Sequence, residues 1–232
     1  MNFTRRGIIV HPEDLTFDWI DRMAEAGLDT LGLHPVGGVK AHESLQRAID
    51  WHATEESRVL RDYAAGKGIH VEYEAHVMAW LLPRETFEEH PDWFRMDENG
   101  ARVNDFNLCA SNPEALEFVA KRTAELASLL DTGARKYYYW LDDVTNCACH
   151  CPACRSLSPA DQQLKIVNAM VEGLRRRDPE SKLCYLAYHD ALEVPQNVRP
   201  ADGVFLEYAP IRRFAQLTPR LRRYNDIFAH SD

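Results

Sequence analysis

The chain has 232 residues, of which 45% are hydrophobic and 27% are charged, proportions typical of one folded domain with a single core. Its formal net charge of -9 disfavours a nucleic-acid or anionic-membrane partner, and no apolar run reaches membrane-spanning length. The apolar run after Met1 is too short for a signal peptide, so if Met1 is the native start we expect a cytoplasmic protein with reduced cysteines.

Short strand-like runs alternate with amphipathic helical stretches along the chain, which predicts βαβ units around a parallel sheet. Two later helices are expected to begin with a capping side chain and an early proline, at Ser111-Asn112-Pro113-Glu114 and at Ser158-Pro159. Six strands are predicted, at residues 7–10, 30–33, 70–73, 136–141, 183–188 and 204–207.

The first strand decides between an open dinucleotide-binding sheet and a closed barrel. It runs into His11-Pro12-Glu13-Asp14 without the glycine-rich turn that cradles a phosphate, so no organic cofactor is expected. Polar residues instead recur just past the strands, as they do at the rim of barrel enzymes. We therefore predict one α/β domain over residues 1–232, of the (β/α)8 TIM-barrel type and truncated after about six βα units. A smaller or open α/β sheet is the alternative.

The fourth predicted strand is aromatic and ends in two adjacent carboxylates, Asp142 and Asp143. Where the chain leaves the rim, both can approach one ligand, and mutual repulsion favours one protonated carboxyl group that can act as a general acid. Glycosidic cleavage needs such a proton, and aromatic residues of this strand such as Tyr139 suit the faces of sugars. In the structural alternative, one aspartate caps the next element and the other is solvated.

A family resemblance rests on these residues. Trp140-Leu141-Asp142-Asp143 followed by Cys149-His150-Cys151-Pro152-Ala153-Cys154 resembles an uncharacterised glycoside-hydrolase-like family, related in fold to α-glucuronidases and β-N-acetylhexosaminidases. Other segments between His34 and Arg213 are similar as well: His90-Pro91-Asp92-Trp93-Phe94, Asn99-Gly100, Leu108-Cys109-Ala110-Ser111-Asn112-Pro113-Glu114 and Ala209-Pro210-Ile211-Arg212-Arg213. The resemblance implies a barrel that acts on a carbohydrate substrate. It assigns the general acid to Asp143 or Asp142, and Glu207 is the candidate second carboxylate from the sixth strand.

Four cysteines, Cys147, Cys149, Cys151 and Cys154, lie within eight residues of one another. Thiolates bind Zn²⁺ tetrahedrally, but four ligands from so short a loop would be cramped, which makes the distant Cys109 attractive as a ligand. The resemblance favours Cys109, Cys149, Cys151 and Cys154 as the zinc site. Disulfides are the alternative in an exported protein.

Histidines at the predicted strand ends complete the candidate site. His34, His76 and His189 are expected to bind substrate hydroxyl groups together with Asp143, or to hold a catalytic metal. Trp80 could stack on a sugar or cover the rim. Three functions therefore compete: a glycoside hydrolase, a non-catalytic carbohydrate-binding barrel with a cysteine-bound metal, and a metal-dependent hydrolase.

Overall fold

The computed structural model describes residues 4–209 and 217–228. Six strands form one parallel sheet in the order β1-β2-β3-β4-β5-β6, and seven α-helices accompany them in the described residues. The strands are β1 Gly7–Val10, β2 Thr30–Leu33, β3 His70–His76, β4 Lys136–Trp140, β5 Lys182–Ala187 and β6 Val204–Tyr208. The helices are α1 Phe17–Glu25, α2 Ala41–His52, α3 Glu55–Gly66, α4 Met78–Leu81, α5 Pro113–Leu129, α6 Pro159–Arg177 and α7 Leu217–Phe228.

The sequential parallel order confirms the predicted barrel-type α/β architecture, because each βα unit advances the sheet by one strand. Register links the strands across the whole sheet, with Leu33 beside Val10 and Tyr73, and Leu186 beside Glu207. The predicted motif that ends at Arg213 lies partly outside the described residues. None of the described helices is both long and apolar enough to cross a membrane.

Side chains alternate between two layers, as the two-residue period of a strand requires. One set faces the helices and joins the main core, for example Leu31, Leu33 and Tyr73. The other set faces the concave side of the sheet, where Trp140 and Leu186 form a smaller apolar cluster. This parity determines which residues of each strand reach the candidate site.

Capping chemistry fixes the start of the two longest helices. Ser158 and Asp161 form a capping box at α6 with Pro159 in the first turn, as the sequence predicts. At α5 the capping residue is Asn112, whose side chain accepts hydrogen bonds from the amides of Glu114 and Ala115. The cap at α5 is thus one residue later than the Ser111 spacing suggests.

Candidate functional site

The candidate site lies at the carboxyl ends of the strands. Three histidines lie at or just past the ends of successive strands and share one arrangement. The Nδ1 atom of each bonds a carbonyl oxygen of the next strand or of the segment that follows that strand. His11 bonds the carbonyl of His34, His34 bonds that of Glu74, and His76 bonds that of Leu141, each at 2.6 Å. These bonds fix the orientation of the three imidazole rings.

Trp140 lies beside this row, at the end of β4. Its ring centroid is 5.5 Å from that of His34 and 5.1 Å from that of His76. Its indole Nε1 donates a 2.8 Å hydrogen bond to Oε2 of Glu207 on β6. Trp140 therefore forms an apolar floor under the rim, and Glu207 supports it from within the sheet.

Asp142 is held tightly by two long-range partners. Its side chain is 3% exposed, and its Oδ2 atom lies 3.0 Å from Nη2 of Arg84. The amide of Asn107 donates to the same oxygen at 2.6 Å, while the Asn107 side chain accepts from the amide of Asp142. Burial raises the pKa of Asp142, and the Arg84 charge opposes that rise. These contacts leave Asp142 little freedom to move toward a substrate.

Asp143 is placed differently, because its side chain is 37% exposed. Its Oδ1 atom lies 3.5 Å from Nε2 of His189, which begins a short 3-10 turn after β5. Gly37 approaches from the loop after β2: a Cβ atom there would lie 3.6 Å from Cβ of Asp143 and 2.8 Å from Cδ2 of His76. The β2 loop can pack closely against this part of the rim because residue 37 has no side chain.

A pocket opens next to Asp142 and His189, and Asp143 is not among its lining residues. Its lining includes His76, Asn107, Asp142, Tyr188 and His189. The structure therefore brings three of the predicted residues, His76, Asp142 and His189, to one pocket.

Buried carboxyl groups line the concave face below the rim. Burial, reinforced by Glu207 and Glu72, raises the pKa of Glu74 to about 8, and burial raises the pKa of Glu72 to about 7. The pKa of Glu207 is raised as well, chiefly by burial, although the bond from Trp140 opposes the rise. Glu207 is half-buried and lies within the sheet beside Glu72 and Glu74, whereas Asp143 lies past the end of β4.

Two of the predicted sugar-binding aromatics are placed away from this pocket. Tyr139 is buried in the core between the sheet and the helices, because strand alternation turns it opposite to Trp140. Trp80 is also buried: its ring lies 3.9 Å from the Arg122 guanidinium, and its Nε1 atom donates to Gln46. Their surroundings suit packing of the helical layer.

The four cysteines expected to bind a metal converge in the structure. The sulfur atoms of Cys109, Cys149, Cys151 and Cys154 all lie within 4.8 Å of one another, and all four residues are buried. The Cys109 sulfur is 3.6 Å from that of Cys151 and 3.8 Å from that of Cys154. Four sulfurs each roughly 2.3 Å from one tetrahedral ion would lie about 3.8 Å apart. The donor set therefore fits a thiophilic metal ion.

Backbone and side-chain contacts hold the cysteine loop in place. Gln162 of α6 accepts a hydrogen bond from the amide of Cys149 and donates to the carbonyls of Cys149 and Cys154. The amide of Met96 donates to the Cys149 sulfur at 3.3 Å, and Nη1 of Arg102 lies 3.9 Å from it. These donors favour negatively charged thiolates. Cys184 lies apart, buried in β5 as expected for core packing.

In the described part of the chain, the histidines do not form a comparable metal-binding group. The cysteine quartet is the one set of three or more His, Cys, Asp or Glu residues found with ligand atoms close enough to hold an ion. Successive rim histidines are 5.9 and 5.8 Å apart at their ring centroids. This spacing favours separate contacts with a larger ligand over joint coordination of one ion.

One known protein family matches this chain. The sequence profile of a family described as "Domain of unknown function (DUF4838)" matches residues 31–222. The chain belongs to this family. No curated protein sequence matches the DUF4838 chain at a significant level.

Solved structures resemble the DUF4838 chain in fold. An O-GlcNAc hydrolase of Thermobaculum terrenum matches with a TM-score of 0.58 and 12% identity, over 98% of this chain and 46% of the other. A GH20 module of the pneumococcal exo-β-D-N-acetylglucosaminidase StrH gives 0.52 and 14%, over 87% and 57%. A β-galactosidase from Rahnella sp. R3 gives 0.50 and 12%, over 88% and 38%. The DUF4838 chain thus has a glycoside-hydrolase-like fold and spans about half the length of these chains.

The sequence did not point to several residues that build the candidate site. Arg84 and Asn107 lie in the long loop after β3, 58 and 35 residues from the Asp142 that they contact. Nothing in the local sequence indicates such contacts. The local sequence also gives no sign that Gly37 packs against the rim, although Gly37 follows a predicted strand end. Side chains alternate along a strand, so Trp140 has the same parity as Asp142, and Tyr139 faces the other way. This alternation could have favoured Trp140 over Tyr139.

Proposed function

We propose that this chain forms the acid-bearing part of a glycoside hydrolase barrel, with Asp143 as the general acid. One observation carries the proposal: of two adjacent rim aspartates, Asp142 is fixed by Arg84 and Asn107, whereas Asp143 is partly exposed beside His189. A general acid must be able to reach the leaving-group oxygen, so the partly exposed member of the pair suits that role.

The other rim groups have supporting roles in this proposal. Asp142 acts as a positioning residue that holds the start of the loop after β4, and the rim histidines contact the sugar. Glu207 remains the candidate second carboxylate, although its Oε2 atom already accepts a hydrogen bond from Trp140. The solved structures of similar fold are named as hydrolases of N-acetylglucosaminides and of a galactoside, and we propose substrates of the same broad class.

The test is hydrolysis of paired substrates by the purified protein and by Asp143→Asn. Aryl and alkyl β-glycosides of N-acetylglucosamine and galactose provide good and poor leaving groups on the same sugar. General acid catalysis contributes about 10²-fold to 10⁴-fold, so Asp143→Asn should lose about that much with alkyl glycosides and less with activated aryl glycosides. Asp62→Asn, an exposed change on α3, is the matched control. Equal rates for Asp143→Asn and the control with alkyl glycosides would overturn the assignment.

A second function, a carbohydrate-binding barrel without catalysis, is favoured by the same locking of Asp142. A glycosidase normally uses two carboxylates flanking the scissile bond. Of the two aspartates, Asp143 has a partly exposed side chain and Asp142 does not. Sugar binding without hydrolysis of any glycoside in the panel would support this alternative.

We propose in addition that the cysteine quartet binds one structural Zn²⁺. The support is the convergence of four buried sulfurs at distances that suit tetrahedral thiolate coordination. Elemental analysis should find one zinc per chain, and Cys109→Ser should reduce that content, whereas Cys184→Ser should retain it. Absence of stoichiometric zinc together with disulfide-linked peptides from the quartet would contradict the proposal.

A further inference from the structure

The hydrogen bonds of the rim histidines determine what each ring can offer a ligand. A carbonyl oxygen can only accept, so the Nδ1 atoms of His11, His34 and His76 must carry the hydrogen in their bonds to the sheet. In the neutral imidazole the Nε2 atom then holds a lone pair and is an acceptor. Burial lowers the pKa of His34, which keeps that central ring neutral at pH 7.

Among the described residues, the three Nε2 atoms have no hydrogen-bond partner. No hydrogen bond to Nε2 of His11, His34 or His76 is formed by any residue within 4–209 or 217–228. Ring centroids 5.9 and 5.8 Å apart space the acceptors along the rim from β1 to β3, and the row ends against Trp140. The row therefore places three acceptors beside an apolar ring: His11 and His34 are half-buried, and His76 is buried but lines the pocket.

The chemistry of the Nε2 atoms decides which ligand suits them. An Nε2 lone pair has no hydrogen to offer a carboxylate or phosphate, whereas a hydroxyl group can donate a hydrogen bond to Nε2. Neutral sugars carry several such donors and apolar C–H faces.

We propose that His11, His34 and His76 form a subsite that accepts hydrogen bonds from the hydroxyl groups of an uncharged sugar and discriminates against uronic acids. This inference rests on the proposed function for its ligand class, carbohydrate, but does not require hydrolysis. It adds His11 to the site and assigns an acceptor role to each ring.

Substitution by asparagine can test the acceptor role without breaking the fold. The side-chain amide of asparagine can donate from near the position of histidine Nδ1, so His34→Asn and His76→Asn keep a donor for the strand carbonyl and lose Nε2. His52→Asn is the matched control, since His52 bonds the Tyr73 hydroxyl through Nδ1 and lies outside the row. Thermal unfolding should show whether each variant stays folded.

Binding of methyl β-N-acetylglucosaminide, methyl β-galactoside and methyl β-glucuronide is measured at pH 7 by calorimetry or ligand-observed NMR. The neutral glycosides should bind at least about tenfold more tightly than the glucuronide. Each rim variant should weaken neutral-sugar binding by about threefold to tenfold, the value of one neutral hydrogen bond, while His52→Asn should not.

Three results would overturn the subsite: the glucuronide binds as tightly as the neutral glycosides, folded rim variants bind like the control, or no probe binds. Binding that follows the expected pattern without any hydrolysis would sustain the subsite and count against the proposed catalysis. Hydrolysis with unaltered binding by the rim variants would do the reverse.

Discussion

Replacement of Glu74 by glutamine should remove much of the pH dependence of stability of this protein. Glu74 is 8% exposed and faces the concave side of the sheet, where its Oε1 atom lies against Gly32: a Cβ atom on that glycine would be 2.2 Å away. Burial first, and then the charges of Glu207 and Glu72, raise the pKa of Glu74 from 4.5 to about 8.

The sign of the effect follows from proton binding. Between pH 4.5 and about 8 the folded protein keeps a proton on Glu74 that the unfolded chain has released. The free energy of unfolding therefore falls as the pH rises through that window. At about 1.4 kcal/mol per pKa unit, a shift of this size corresponds to a loss of about 5 kcal/mol, as an upper bound because Glu72 and Glu207 share part of it.

Urea unfolding at pH 5.0 and pH 8.5 measures the effect. The unaltered protein should lose stability between the two values, and Glu74→Gln should lose several kcal/mol less because its amide does not ionise. Glu56→Gln on the exposed face of α3 serves as the control and should behave like the unaltered protein. If Glu74→Gln shows the same loss as this control, Glu74 ionises normally in the folded state and the argument from burial is wrong.

Two further predictions concern packing and charge. Gly173→Ala should destabilise the protein by about 1–3 kcal/mol in thermal or urea unfolding, because its Cβ atom would lie against the Ala120 carbonyl oxygen. The control Gly66→Ala has open space around it and should have little effect. Equal effects of the two substitutions would refute the packing argument. Arg84→Met should cost about 3–5 kcal/mol because it leaves the buried Asp142 carboxylate unpaired, and a second change, Asp142→Asn, should restore part of that loss. A fully additive double variant would argue against the pairing.

The sequence predicted the architecture because local signals repeat in every βα unit. Alternating strand and helix patterns, the Ser158 cap and the absence of a glycine-rich first loop all indicate a barrel-type parallel sheet, which the structure confirms. The ends of the strands were harder to predict. β3 extends to His76, three residues past its predicted end at Tyr73. Regular periodicity identifies elements better than it identifies where they stop.

The candidate site was only partly predictable for a related reason. The rule that active groups follow barrel strands selected His34, His76 and Asp143 as candidates from sequence alone, and their roles stay predictions. The rule does not say which residues of β4 face away from the helices. Tyr139 was therefore selected although it faces the helices. Trp80 was chosen for its residue type in a loop whose path no periodic pattern describes.

Two residues of the loop after β3, Asn107 and Cys109, contact the loop after β4. Asn107 bonds Asp142 through both its amide and its side chain, and Cys109 joins the cysteines of the β4 loop. Asn107 adopts a left-handed backbone conformation with φ of 52°, which the paired hydrogen bonds help to hold. A shift of Cys109 would therefore be transmitted to Asp142 through this short segment. The cysteine quartet and Asp142 are therefore linked through residues 107–109, while Arg84 holds Asp142 independently of the quartet.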